Sequence, residues 1–389
     1  MRSFFEKLEQ YFLPFIVGRP QRRPRDIAIT SLLFIASRFY RMVTQFRIWL
    51  YDRRFFRYHA LGCLVVSIGN LSCGGTGKTP VVEVFARSLN QKGRKVAILS
   101  RGYRSRKRSF WSRMKIKLTG TIEEDPPKIV SDEERVLLNS EYAGDEPFML
   151  ARNLPGVVVL VDKDRVKSGL YAIDKFQTDT LILDDGFQYL RLRPHINIVL
   201  VDSTSPFGNH HVLPRGILRE PIKNIRRADY VFLTKSTGSH RNEHLRRFIR
   251  KHNTRAEIIE CCHMPQYLAG VYSPNLRKEL DFLKGKKVAA LSGIANPRSF
   301  ESFLEDFGAK LVHTEHFADH HRYTVQEVEK FAAKAKKNGA ELLLTTEKDA
   351  VRIPTVKHNH LPFYYLRIQI DILSGQESFD QCISRICFM

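Results

Sequence analysis

Residues 67–80, SIGNLSCGGTGKTP, end in Gly77-Lys78-Thr79, the close of a loop that wraps a nucleotide's phosphates. Backbone N–H groups of such a loop, together with the start of the following helix, cradle the anion. Gly74, Gly75, Thr76 and Gly77 would line the cradle, Lys78 would reach the β- and γ-phosphates, and Thr79 would offer its hydroxyl to Mg²⁺. The first glycine of the G-x-x-x-x-G-K-[ST] pattern is missing, and Ser72 stands in its place. A serine fits there if its φ stays negative and Gly74-Gly75 absorb the sharp turn. A glycine-rich turn with no ligand leaves the following Lys-Thr unexplained. Further along, TLILDDGFQ is an apolar run ending in Asp184-Asp185, the place where such proteins hold Mg²⁺. Arg165, Arg215 and Arg219 fall in loops after apolar runs, where they suit a transferring phosphoryl group or simply make basic loops. Asp145 and Glu146 in GDEP are adjacent carboxylates, a pattern that solvated loops also show. HTEHFADHHRYT, 313–324, brings together His313, His316, Asp319, His320 and His321 without a cysteine or a zinc spacing, which favours one proton-handling histidine over a metal site.

These residues need a scaffold that places strand ends beside one another. The runs CLVVSI, KVAILS, GVVVLV, TLILDD, INIVLV and YVFLT alternate with helical or loop-like stretches, the rhythm of a mostly parallel sheet. CLVVSI runs into the phosphate loop and TPVVEVFARSLNQKG reads as the helix after it, which is the context the motif requires. The predicted fold is α/β: a P-loop-type, mostly parallel sheet with helices on both faces, a smaller C-terminal α/β domain, and an N-terminal amphipathic helix. The expected limits are 1–60 for a basic helical segment, 61–255 for the P-loop domain, 256–285 for a linker where the pattern loosens, and 286–389 for the smaller domain.

The chain of 389 residues carries a net charge of +22, which favours polyanionic partners: nucleic acid, anionic lipid or phosphorylated substrates. Residues 1–60 hold twelve basic and four acidic residues, a local net of +8. Within them Leu32, Ile35, Ala36, Phe39, Val43, Phe46, Trp49 and Leu50 fall near one helical face. The uncharged run from Ile27 to Ser37 is shorter than the roughly 20 apolar residues a bilayer span needs. A helix lying on a membrane surface and one packed on the protein's own core both fit. The stretch 101–117 has eight basic residues and no acid, and reads as an anion-facing loop, a second membrane contact or a solvated loop. The six scattered cysteines read as free thiols in a reducing compartment, and no cleavable signal peptide is apparent.

The nucleotide reads as ATP. Cys73 occupies the place of the signature lysine of K-G-G-x-G-K-T ATPases. TKST, 234–237, has Thr237 where guanine-reading proteins have an aspartate.

Taken together, SIGNLSCGGTGKTP, SRGY, GDEPFML, LILDDGFQYLRL, IVLVDSTSPFGNHHVLPRGILREP, GIANPRSF, FADHHRYT and LLTTEKDAVRI, in this order over residues 60–355, resemble the tetraacyldisaccharide 4′-kinases of lipid A biosynthesis. That family's phosphate loop also lacks the first glycine. The resemblance implies transfer of phosphate from ATP, with Mg²⁺, to the 4′-hydroxyl of lipid A disaccharide 1-phosphate, giving lipid IVA. It implies work at the cytoplasmic face of the bacterial inner membrane by a peripheral or monotopic enzyme, with anionic membrane lipids as partners. By motif position Lys78 and Thr79 hold phosphates and metal. Asp145 is the base, with His320 as its partner. Asp184, Asp185 and Gln188 lie near metal and phosphate, and Glu146, Arg165, Arg219 and Glu220 match less closely as metal- or phosphate-side groups. Pro194-His195 stands where the family has an Arg-Asp pair, so no acid is available there. Two rivals remain open on sequence alone: an ATPase acting on nucleic acid, which the sparse aromatics in the basic stretches disfavour, and a membrane-bound nucleotide switch without transfer chemistry.

Overall fold

The computed structural model describes residue 16 and residues 24–102, 126–238, 242–356 and 361–388. Apart from Arg101 and Gly102, the basic stretch 101–117 lies outside the described residues, as do residues 1–15 and 17–23 of the N-terminal segment. The chain forms two compact units. The first holds residues 1–101, 162–262 and 372–389, and the second 102–161 and 263–371. These limits differ from those expected from composition. Residues 102–161 group with the later half of the chain, and residues 372–389 return to the first unit. The loosened pattern at 256–285 conceals a 14-residue strand, β8 (Glu257–Gly270), inside which the chain passes between units. Glu257, Glu260, His263 and Gln266 interrupt its apolar run and hide it from a reading based on hydrophobic pattern.

In the first unit β1 (Leu64–Asn70), β2 (Val96–Ser100), β5 (Thr180–Asp184), β6 (Ile196–Asp202), β7 (Tyr230–Thr234) and the start of β8 line up in the order β8-β7-β6-β1-β5-β2. Every neighbouring pair is parallel. The reason is legible in the residues: β1, β2, β5 and β7 are buried along their whole length, so both faces need cover. Cover comes from α2 (Lys78–Gln91), α5 (Arg165–Phe176), α6 (Asn242–Arg250) and α10 (Gln376–Phe388). Phe85 of α2 meets Phe232 of β7 and Phe379 of α10 edge-on, with ring centroids 5.6 and 5.1 Å apart. Truncating such a ring costs about 3–5 kcal/mol.

The N-terminal helix α1 (Pro24–Asp52) lies on this unit with Ser37, Ile48 and Tyr51 buried and Tyr40 against the core around Leu71 and Phe187. Leu32, Ile35, Phe39, Val43, Phe46 and Trp49, the apolar face foreseen from the sequence, point outward and are exposed. They do not pack on the protein's own core. The whole helix is long and apolar enough to cross a membrane by length and composition, although Arg38, Arg41 and Arg47 interrupt it.

In the second unit the two-residue strand β9 (Arg277–Lys278) pairs antiparallel with the end of β8, and β10 (Lys287–Ser292), β11 (Lys310–His316), β12 (Leu342–Thr346) and β13 (Phe363–Ser374) pair in parallel in the order β11-β10-β12-β13. Alternation along β10 sends Ala289 and Leu291 to one core, with Val328 and Phe331 of α8 (Val325–Lys337). Val288 and Ala290 go to the other, with Phe300 and Leu304 of α7 (Pro297–Asp306). An antiparallel pair, β3 (Lys128–Asp132) and β4 (Val158–Val161), flanks two short helices, α3 (Ser140–Ala143) and α4 (Asp145–Asn153).

Candidate active site

In the first unit the loop after β1 makes its tight turns at Gly74 (φ 117°) and Gly77 (φ 77°), and α2 starts at Lys78. Gly75 keeps a negative φ, so the sharp bend belongs to Gly74 and Gly77 rather than to the Gly74-Gly75 pair. Ser72 is extended and bridges Leu218, flanked by Cys73 N–H to the Ile217 carbonyl and Arg219 N–H to the Leu71 carbonyl, both 2.7 Å. An extended residue does not need glycine, which explains the missing first letter of the motif. The loop is braced from three sides. Asn70 Nδ2 donates to Thr76 Oγ1 (2.9 Å), Thr234 Oγ1 to the Thr76 carbonyl (2.8 Å), and Lys235 Nζ to the Gly75 carbonyl (2.8 Å).

Parallel register sets Ile68 beside Asp184, so the end of β5 lies next to this loop. Asp185, at φ 55°, receives Lys78 Nζ at 3.3 Å and Arg219 Nη1 at 2.6 Å. Burial pushes its carboxyl up, but Lys78 and Arg219 outweigh that and hold it below the ordinary range. Burial pushes the Arg219 guanidinium down, and Asp185 more than restores it. Gln188 Nε2 donates to the Asn70 carbonyl, with its Oε1 3.5 Å from Arg219. Asp184 accepts from Ser100 Oγ (2.9 Å), and its carbonyl from Arg165 Nη2 (3.1 Å). Burial lowers the Arg165 pKa, with Asp184 and Asp185 opposing. Glu220 points elsewhere, into a buried pair with Arg227 (2.6 Å) and Asn224 (2.7 Å).

The cluster suits a metal-bound triphosphate. Three cations, Lys78, Arg165 and Arg219, gather around a helix start, and Thr79, Asp184 and Asp185 offer the hard oxygen donors Mg²⁺ prefers. Arg165 Nε and Asn70 Oδ1 are buried polar atoms with no partner among the described residues, as expected of a place meant for a polar ligand.

In the second unit Gly144 (φ 96°, ψ 155°) turns the chain between α3 and α4, so that Asp145 opens α4. A helix start favours a carboxylate. Its side chain is 11% exposed and receives Arg352 Nε at 2.8 Å and Arg322 Nη2 at 3.2 Å, with His320 Nδ1 at 3.4 Å. Burial pushes the carboxyl up, and the His320 hydrogen bond and the two guanidiniums outweigh it, leaving the acid below its ordinary range. Of the paired histidines, His320 (φ 66°) is the one near Asp145, whereas His321 faces Glu327 at 3.1 Å and stacks on Phe317. His313 and His316 face Glu315 and Glu301. Among the described residues no group of three or more His, Cys, Asp or Glu gathers as a metal site. Glu146, grouped from its motif with the metal-side residues, sits on α4 in the second unit, apart in the chain division from Thr79, Asp184 and Asp185.

A family model described as tetraacyldisaccharide-1-P 4′-kinase matches residues 29–387. The chain belongs to this family. The tetraacyldisaccharide 4′-kinase of Syntrophus aciditrophicus is 36% identical over 90% of this chain and 91% of its own length. That of Desulfotalea psychrophila is 38% identical over 93% and 98%. A crystal structure of LpxK from Aquifex aeolicus, described as an apo form in complex with ATP, superposes with a TM-score of 0.70 at 30% identity, covering 92% of this chain and 99% of that one. The family resemblance drawn from the motifs therefore holds, and with it the activity: ATP-dependent phosphorylation of a lipid A precursor at its 4′-hydroxyl.

Sequence reasoning missed several side chains that the structure brings to the candidate site residues: Arg322, Lys348, Arg352 and Lys235. LLTTEKDAVRI and HHRYT contain the first three, but nothing in their spacing announces a cluster with GDEP: Arg322 and Arg352 meet Asp145 across 177 and 207 residues of chain, and Lys348 meets Asp319 and His320. His195, at the departure from the family pattern, accepts the Val65 N–H at 3.1 Å near the start of β1.

Proposed function

We propose that the first unit holds ATP and the second activates the acceptor hydroxyl. Lys78, Arg165 and Arg219 offset charge on the triphosphate, and Thr79, Asp184 and Asp185 hold Mg²⁺, which when bound polarises the terminal phosphoryl oxygens. Asp145 accepts the proton of the 4′-hydroxyl as that oxygen bonds to the γ-phosphorus and ADP leaves. His320 stands beside the carboxylate as its partner. The observation that supports this reading best is Asp145 itself: a largely buried carboxylate at a helix start, ionised and fixed in place by cationic donors. A sugar hydroxyl is a poor nucleophile near neutrality and needs such a base.

The substrate is the lipid A disaccharide 1-phosphate, and the enzyme meets it at the cytoplasmic face of the inner membrane. Each acyl CH₂ withdrawn from a bilayer costs about 0.8 kcal/mol, so the protein comes to the lipid. Helix α1, with one side seated on the first unit and Leu32, Ile35, Phe39, Phe46 and Trp49 outward, supports a monotopic attachment, and the basic N-terminal segment suits anionic lipid.

The test is transfer from γ-labelled ATP to the disaccharide 1-phosphate by wild type and Asp145→Asn. We expect turnover to fall by about 10²–10⁴-fold while ATP affinity stays unchanged. Wild-type amounts of labelled lipid from the variant would remove Asp145 as the base.

A further inference from the structure

TTEKDAVRI, residues 345–353, has no assigned role of its own in the reading above, yet its Arg352 makes the shortest contact with Asp145. It leaves β12 through the four-residue helix α9 (Glu347–Ala350), with Thr346 as cap. Asp349 is fully buried. One of its oxygens accepts from Gly293 N–H (3.0 Å) and Thr346 Oγ1 (2.6 Å), the other from Tyr323 OH (3.1 Å) and Arg352 Nη1 (3.3 Å). Arg352 has no exposed side-chain surface at all. Its three nitrogens are divided between two tasks. Nη1 is tied to the scaffold, at Asp349 and the Gly293 carbonyl, while Nε donates to Asp145 Oδ2 (2.8 Å) and Nη2 reaches His320 Nδ1 (3.1 Å).

A buried guanidinium is costly to desolvate and needs a counter-ion, and the buried Asp349 would by itself be enough to provide one. A simple structural pair would stop there. Here the other two nitrogens of the fork go to the two groups already placed in the reaction. Arginine has donors only, so Nη2 can bond to Nδ1 only while that nitrogen is unprotonated. The two contacts of Nδ1 therefore exclude each other: protonated, it gives its hydrogen to Asp145; unprotonated, it accepts from Arg352. In either case Asp145 stays on Nε.

We propose that Arg352 is the positioning residue of the base, a bridge anchored on Asp349 that fixes Asp145 and His320 in one mutual geometry. The inference rests on Asp145 being the base. Lysine cannot replace the arginine, since one ammonium lacks the planar fork that spans both partners and the anchor.

The experiment compares wild type, Asp145→Asn, Arg352→Ala, Arg352→Lys and the double variant Arg352→Ala/Asp145→Asn. Transfer to the disaccharide 1-phosphate is measured in detergent micelles, beside melting temperature and ATP affinity. Displacing a reacting group by about 1 Å costs on the order of 10²-fold, so we expect that loss in kcat for Arg352→Ala, with KM for ATP within about twofold. Free guanidinium ion should refill the hole and restore about tenfold of the loss in Arg352→Ala and none in the double variant. Arg352→Lys should stay about tenfold slow. Near-wild-type kcat in folded Arg352→Ala overturns the proposal, and so does a loss that guanidinium leaves untouched. If Arg352→Ala does not fold, Arg352→Lys decides: wild-type turnover refutes the bridge, and slow turnover with intact ATP affinity supports it. Failure of the underlying reading looks different. Normal turnover by Asp145→Asn removes the base whatever Arg352 does, whereas a slow Asp145→Asn beside normal Arg352 variants keeps the base and removes the bridge.

Discussion

The phosphate loop and the Asp145 cluster are built on opposite principles. The loop is backbone: consecutive residues from Leu71 to Thr79, shaped by positive-φ glycines and braced through main-chain carbonyls by Thr234 and Lys235. The Asp145 cluster is side chain: one carboxylate met by residues from 320–322 and from 352, each from a separate stretch of chain. A backbone site tolerates changes of side chain wherever φ is ordinary. A side-chain site tolerates little, because each partner sets the position of the others.

The largest effect expected belongs to the one side chain the loop cannot do without. Lys78 lies at the start of α2, 14% exposed, against Asp185. Lys78→Ala should lower kcat by about 10³-fold or more, since on the proposed reading the developing charge on the phosphoryl group loses one of its cations. Single-turnover transfer with labelled ATP checks this. Loss confined to KM would mean that Lys78 only binds the nucleotide, and the contrast with Asp145, whose removal should spare ATP affinity, would collapse.

The second cluster makes a pH prediction. The Asp145 acid is held below its ordinary value, so its carboxylate survives to lower pH and the acid limb of kcat/KM lies on the acid side of an ordinary aspartate. Arg322 is one of the groups holding it down. Arg322→Gln removes that influence, raises the folded-state pKa, and should move the acid limb to higher pH while leaving the alkaline limb alone. Arg322 is 41% exposed, so screening makes the movement modest. A limb that moves down, or a limb insensitive to both Arg322→Gln and Asp145→Asn, would show that another group titrates there.

This contrast also explains what could be read from the residues. The sheet strands CLVVSI, TLILDD, INIVLV and YVFLT are dominated by apolar residues because both faces of the sheet are covered, and the parallel sheet follows from them. The loop was legible for the same reason that it works: its chemistry is contiguous. β8 was not, since its polar residues break the run, and neither was the return of α10 to the first unit, which depends on Phe379 finding Phe85. His320 could be singled out only by motif position. Arg352 could not be assigned at all, because a guanidinium buried between two aspartates looks in sequence like any surface arginine. The outward apolar face of α1 was visible as a face but not as a direction, since amphipathicity gives no sign of what lies on the other side.

A smaller effect sits at the hinge of the second site. Gly144 holds φ 96° and ψ 155°, a region closed to residues with a Cβ. Gly144→Ala should cost about 1–3 kcal/mol of stability, read from denaturant or thermal unfolding. Because the strain falls on the residue that aims Asp145, kcat should drop as well. A variant with lowered melting temperature and normal kcat would show that α4 re-aims its first residue freely, against the rigid picture of this cluster.

The smallest effect is expected at the irregular letter of the loop. Restoring the consensus with Ser72→Gly looks from the motif like an improvement. In the structure Ser72 is extended, bridged to Leu218 in the strand-like contact that also carries Arg219 toward Asp185. Glycine gains nothing at a negative φ and adds freedom to the unfolded chain, at a cost of roughly 0.5–1 kcal/mol. ATP affinity should therefore stay within about twofold of wild type while the melting temperature falls slightly. Tighter nucleotide binding by this variant would mean that the extended bridge is not what shapes the cradle, and that the turn at Gly74 competes with a second one the serine forbids.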